Sequence, residues 1–204
     1  MLKEIYNQIR LIISNIRFRK KNKHNDITLL SNYPIDNICV GICSYGKLNI
    51  KAYNKKGKIK IGNYCSIADK VEFLIGGEHN YKKISTYPFQ SKIYKQDSTH
   101  CPNYDIVIDD DVWIGYDCLI MSNSHIGKGS VIGARSIVKG NIPPYSIYIG
   151  NKVYKQRFSD DIMKKISKID FSKVKHTLSD EYSKYCQNEV TDKNVNEIIK
   201  TFIK

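Results

Sequence analysis

Residues 108–143 read IDDDVW, IGYDCL, IMSNSH, IGKGSV, IGARSI, VKGNIP. Ile108, Ile114, Ile120, Ile126, Ile132 and Val138 open the six blocks, so an aliphatic residue returns at every sixth position. A helix repeats near 3.6 residues and a strand near 2, so a period of six belongs to a larger unit. Six such hits in one register arise by chance on the order of once in a thousand windows. A hexapeptide repeat marks a parallel β-helix, in which each block supplies a short strand and a corner. The first residue of each block points inward. The fifth (Val112, Cys118, Ser124, Ser130, Ser136, Ile142) is mostly small and fits where the interior narrows. Gly115, Gly127 and Gly133 suit corners that need unusual backbone angles or close stacking. One rung buries almost nothing, whereas stacked rungs bury a continuous aliphatic column.

Upstream, the same register runs through Ile61, Ile67 and Phe73 (IGNYCS, IADKVE, FLIGGE), and six more residues lead to His79. There the pattern stops, to resume near Ile106. Residues 80–105 therefore form an insertion, polar and aromatic, of a length that is usually functional inside a compact repeat. A less regular stretch, 35–53, supplies the first rungs, with a turn over 54–58. The first twenty residues have helical spacing of Leu2, Ile5, Ile9, Ile12, Ile13 and Ile16, which predicts an amphipathic basic helix. It either packs on the β-helix end or touches a membrane surface. After Pro143-Pro144, Ser159 is an N-cap candidate for a helix with Ile162, Met163, Ile166 and Ile169 on one face. A last helix is expected near 195–203. The chain thus divides into a helical basic arm (1–34), a β-helix domain (35–158, with the insertion 80–105) and C-terminal helices (159–204).

Lys and Arg number 33 against 20 Asp and Glu, a formal charge of +13. Much of it sits in the arm (Arg17 to Asn25) and in scattered lysines, so it reads as compositional bias rather than a nucleic-acid footprint. No secretory signal or transmembrane span is evident, because the apolar run Leu11 to Ile13 is too short. A cytoplasmic protein is expected, with the arm leaving contact with the inner face of the membrane open. None of the six cysteines forms a C-x-x-C pair. Cys65 and Cys118 take the inward fifth position and read as reduced core filler, and no metal site is expected.

His79 is the foremost candidate for chemistry. Imidazole suits general-base work near neutral pH. Gly76-Gly77 before it and a polar aromatic loop after it argue for an exposed, positioned side chain.

The segments GNYCSIADKVEFLIGGEHN, STYPF (Ser85 to Phe89), DDVWIG, IGKGSVIGARSIV, IPPYSIYIGN and KQRFSDDI resemble the hexapeptide acyltransferase family over roughly residues 35–172. The nearest branch resembles enzymes that acetylate chloramphenicol and streptogramins, and that branch also holds sugar O-acetyltransferases of surface polysaccharide synthesis. The resemblance implies a left-handed parallel β-helix, an exception to right-handed crossovers. It also implies a homotrimer with a site between neighbouring subunits, acetyl-CoA as donor and His79 as catalytic base in direct transfer. For acetyl-CoA it points to Gly115, Gly133, Ala134, Lys139 and Lys152, with Trp113 walling the pantetheine channel. Tyr45, Tyr81, Ser85 and Tyr87 offer stacking faces and hydroxyls to an acceptor. Two departures matter. Gly150-Asn151-Lys152-Val153 replaces the family's G-N-P-A, and Asp170-Phe171 stands where drug-acetylating members often carry paired tryptophans. The first bears on CoA contacts near the β-helix end; together with an inserted loop that differs from the family's beyond STYPF, these differences favour a sugar acceptor over an antibiotic. Other classes are a γ-carbonic-anhydrase-like metal enzyme, for which His100 and His125 would have to join His79, a non-catalytic trimeric scaffold, and a nucleic-acid binder through Arg17 to Lys23.

Overall fold

The period of six becomes a triangular coil in the computed structural model, which describes residues 2–96, 104–174 and 188–203. The chain winds a parallel β-solenoid of about six turns, the left-handed β-helix expected, with helices at its flanks. Three faces follow from the strand register. The first stacks β2 (Ile38–Val40), β4 (Ile59–Ile61), β7 (Ile106–Ile108) and the second halves of β9 (Leu119–Ile126) and β11 (Ile137–Ile142). The second face stacks β1 (Asp26–Leu29), the start of β3 (Tyr45–Ala52), β5 (Ser66–Ile67), β8 (Trp113–Ile114), β10 (Val131–Ile132) and β12 (Ser146–Ile149). The third stacks the end of β3, β6 (Glu72–Ile75) and the first halves of β9 and β11. In the regular block Ile108 pairs with Ile126, Ile114 with Ile132 and Ile120 with Val138. Each partner lies eighteen residues on, so three hexapeptides make one turn.

The inward residues behave as their positions require. All six block-opening aliphatics are buried, as are Cys118, Ser124, Ser130 and Ser136 at the fifth position. Ser130 Oγ donates to the Pro143 carbonyl and Ser124 Oγ to that of Val138, so hydroxyls are accommodated inside the corners. Burial pushes the Cys65 thiol up to about 12, as befits an inert core group.

The corners correct one expectation. Gly115 and Gly127 are needed for close stacking: an added Cβ would lie 2.7 Å from the Ala134 nitrogen and 2.5 Å from the Pro144 nitrogen, respectively. Gly133 is less tight, with 3.2 Å to Ile149 Cγ1. The left-handed backbone angle falls instead on the fourth position of the first five blocks, at Asp111, Asp117, Asn123, Gly129 and Arg135. Only one of these is glycine; Asp and Asn tolerate that region better than most residues do.

The solenoid's ends are covered by helices. Helix α1 (Leu2–Lys21) packs through Phe18, Leu11 and Asn15. The Asn15 side chain imitates a neighbouring strand, donating to the Leu29 carbonyl at 2.8 Å and accepting from the Leu29 amide at 2.9 Å. The stripe picked out by sequence, Leu2, Ile5, Ile9, Ile12, Ile13 and Ile16, is not the packing face: all six are exposed. At the other end β13 (Lys152–Gln156) adds antiparallel to β12. Ser159 caps the helix Asp160–Ile166, whose Ile162 and Ile166 join Ile169, Val195 and Tyr145 in a second apolar cluster. The final helix spans Val195–Ile203. No helix among the described residues is long and apolar enough to cross a membrane.

Candidate functional site

The longest departure from the coil falls where the third face gives way to the first, between β6 and β7. After β6, Gly76 and Gly77 both take positive φ (74° and 96°) and turn the chain outward. Glycine suits both positions: a Cβ on Gly76 would lie 2.5 Å from Asn54 Nδ2, and one on Gly77 would lie 2.7 Å from the Tyr53 ring. The Gly76 amide donates to Ser122 Oγ at 2.6 Å. Two residues later His79 stands exposed on this edge.

A backbone contact sets the state of the His79 ring. Its Nδ1 lies 2.8 Å from the Thr86 carbonyl oxygen. A carbonyl only accepts, so Nδ1 carries the proton and donates, which leaves Nε2 of the neutral ring with a free lone pair. The loop that provides Thr86 is held by its own short contacts. The Tyr87 amide donates to Ser85 Oγ at 3.1 Å, and the Tyr87 and Phe89 rings meet edge-on at 4.9 Å. A short helical turn, α2 (Phe89–Lys92), follows. Tyr81, Ser85 and Tyr87 share the loop with His79, and Tyr81 and Tyr87 are exposed.

The residues picked for acetyl-CoA lie on two separate edges. Trp113 points outward from the second face, 56 % exposed, in register with Ser66 and Val131. Gly115, Gly133 and Ala134 form the corner that follows it, and the Gly133 amide donates to the Tyr148 carbonyl. Lys152 pairs with Ile149, whose side chain lies over Gly133. These five form one tract. Lys139 does not belong to it: it sits at the bend of β11 between the third and first faces, on the edge that carries His79. Tyr45 likewise lies away from the His79 loop. It pairs with Ser66 in the Trp113 column, two strand spacings or about 10 Å along the face from Trp113. Within one chain, then, His79 and the Trp113–Ala134 tract occupy different corners of the triangle.

Sequence reasoning passed over two neighbours of the histidine. Tyr53 packs beneath Gly77, and Glu78 buries Oε2 without a hydrogen-bond partner among the described residues. Neither carries a motif signal, since both are placed by the turn and not by the repeat. Among the described residues no three His, Cys, Asp or Glu side chains are grouped to hold a metal ion. His125 instead contacts Asp109, Nε2 to Oδ1 at 3.0 Å. His100, His176, Cys101 and Cys186 lie outside the described residues.

A family model of bacterial transferase hexapeptide repeats (six repeats) matches residues 105–140. A probable macrolide acetyltransferase of Lysinibacillus sphaericus is 38 % identical over 123 residues, covering 56 % of this chain and 68 % of the relative. A chloramphenicol acetyltransferase of Agrobacterium fabrum is 35 % identical over 113 residues, covering 51 % of this chain and 54 % of the relative. The putative lipopolysaccharide biosynthesis O-acetyl transferase WbbJ of Escherichia coli K12 is 33 % identical over 92 residues, covering 45 % of this chain and 46 % of the relative. The chain thus spans about two thirds of the first relative and about half of the other two.

Proposed function

The chain belongs to the bacterial hexapeptide-repeat acetyltransferases, and from there we propose that it moves an acetyl group from acetyl-CoA to a sugar hydroxyl of a surface polysaccharide or its precursor. The observation that carries this reading is the His79 ring, exposed on its loop with Nδ1 committed to Thr86 and Nε2 free to take a proton. Nε2 removes the proton of the acceptor hydroxyl. The oxygen bonds to the acetyl carbon, the carbon–sulfur bond breaks, and the proton leaves His79 for the departing thiolate. Assistance of this kind is worth about 10²–10⁴-fold in rate.

Acetyl-CoA supplies the activated thioester. The tract on the second face suits its shape: Trp113 offers a flat exposed wall, Gly133 and Ala134 leave the backbone open to a pantetheine arm, and exposed Lys152 offers a point charge to phosphate. Because that tract and His79 occupy different corners, the proposal requires a homotrimer, in which a threefold neighbour carries its tract to the His79 edge. Lys139, on the His79 edge, then meets the donor from the opposite wall. The enzyme would act in the cytoplasm, where acetyl-CoA is available.

Three features support a sugar. The loop around His79 presents Tyr81, Ser85 and Tyr87, whose hydroxyls suit a polyol. Asp170 accepts from the Ser172 amide and hydroxyl at the place where drug-type members carry tryptophan. One relative is named for lipopolysaccharide biosynthesis. The macrolide and chloramphenicol relatives favour a second reading, O-acetylation of an antibiotic. A thiol-release assay with acetyl-CoA and a panel of acceptors separates them. Turnover with nucleotide sugars or polysaccharide fragments, and little with chloramphenicol or a macrolide, is the expected ranking; the reverse ranking overturns the sugar assignment and leaves His79 in place.

A further inference from the structure

Helix α1 meets the solenoid with one side and turns a second, apolar side to solvent. At 100° per residue, Leu11, Asn15 and Phe18 lie together on the packed side. Leu2, Ile5, Tyr6, Ile9, Ile12, Ile13 and Ile16 centre on the opposite side, each between 44 and 86 % exposed. Core packing cannot account for this stripe, because it points away from the core. Lys3, Arg10, Arg17 and Lys21, spaced seven, seven and four apart, run along one border of it. Arg10 and Arg17 also line a cavity of about 260 Å³ between helix and solenoid, together with Lys55, Asn32, Tyr33 and Asp36. Asp36, paired with Lys21 at 3.2 Å, is the one acid in that lining, against the three cations Arg10, Arg17 and Lys55.

We infer that α1 docks this chain on an anionic lipid surface, lying in the plane of the interface with the isoleucine stripe in the acyl region and the Arg10–Arg17–Lys55 cleft on lipid phosphate. The helix is not apolar enough to span a bilayer, and an apolar stripe bordered by cations is what a surface-lying helix requires. Charge complementarity selects lipid over a second copy. Glu4 is the only acidic residue in Leu2–Lys21, so two such helices stacked on their stripes would bring cationic borders together. Anionic headgroups meet the same cations favourably.

Co-sedimentation of the 204-residue chain with vesicles tests this independently of acetyl transfer and of the acceptor. Wild type is expected to bind phosphatidylcholine vesicles containing phosphatidylglycerol and to bind pure phosphatidylcholine vesicles at least about tenfold less. The pair Ile9→Ser/Ile13→Ser should lower partitioning by at least about tenfold. Arg10→Glu/Arg17→Glu should abolish the preference for phosphatidylglycerol, each lost cation being worth about fivefold. Both pairs lie off the packing face, so thermal midpoints should not move. Absence of vesicle binding by wild type, or binding indifferent to the serine pair, overturns the inference. So does a drop in solution mass of the serine pair by light scattering, which would show that the stripe covers a second copy.

Discussion

The regular block from Ile108 to Pro143 and the loop from Gly76 to Asp105 meet on one edge of the same coil, yet they are built on opposite principles. In the block every sixth side chain is buried, and each corner is hydrogen-bonded to the rung above or below. Among the described residues of the loop most side chains are exposed, and their placement involves two positive-φ glycines, short-range bonds and the contact from His79 to a carbonyl. The block supplies stability and a straight edge. The loop supplies a side chain whose lone pair is free. Damage to one should therefore leave the other largely intact.

The largest separation is expected at His79. His79→Ala should lower acetyl transfer by about 10²–10⁴-fold while the thermal midpoint stays put, since an exposed ring contributes little packing. Steady-state rates beside a melting curve decide it; near-wild-type turnover would return the chain to the scaffold reading. Ile120→Ala is the mirror experiment. It removes a fully buried side chain from the middle of the column and should cost about 2–5 kcal/mol of unfolding free energy, read by denaturant titration. The enzyme that remains folded should keep its turnover number.

Gly77→Ala sits between the two. It forces a side chain onto φ 96° and against the Tyr53 ring, at a cost of about 1–3 kcal/mol, and should reduce rate by displacing His79. If melting temperature falls but rate per folded molecule does not, the two-glycine turn is structural only. The smallest effect is chemical. A thiol reagent at neutral pH should modify exposed Cys39 and spare Cys65, whose thiol burial holds near 12. Peptide mapping of the labelled protein reads the difference, and equal labelling would mean the column opens.

The same contrast explains what the sequence disclosed. A six-residue aliphatic period fixes strand length, inward residues and turn size, so the solenoid and its interruption at His79 are legible from Ile61 to Val138. The left-handed corner position is not, because Asp111, Asp117, Asn123 and Arg135 fill it without a shared residue type. His79 could be singled out by Gly76-Gly77 and by family resemblance. Its tautomer could not, since the partner is a backbone carbonyl that any residue at position 86 would supply. The outward stripe of α1 has the same apolar spacing as a packing face; only Asn15, Leu11 and Phe18 reveal which side meets the core. Likewise, motif matching groups Lys139 with Trp113 and Ala134, and only the strand register puts them on different edges.

That division of residues between edges makes the site between two copies the central claim, and subunit complementation tests it most directly. His79→Ala spoils one edge, and Ala134→Trp blocks the other by filling the small-residue tract. Each variant alone should be inactive. Co-assembled from equal amounts, the two should recover about a quarter of wild-type activity, because that share of random interfaces joins an intact His79 edge to an intact tract. Mixed assemblies that form but stay inactive would contradict the account and place the whole site within one chain.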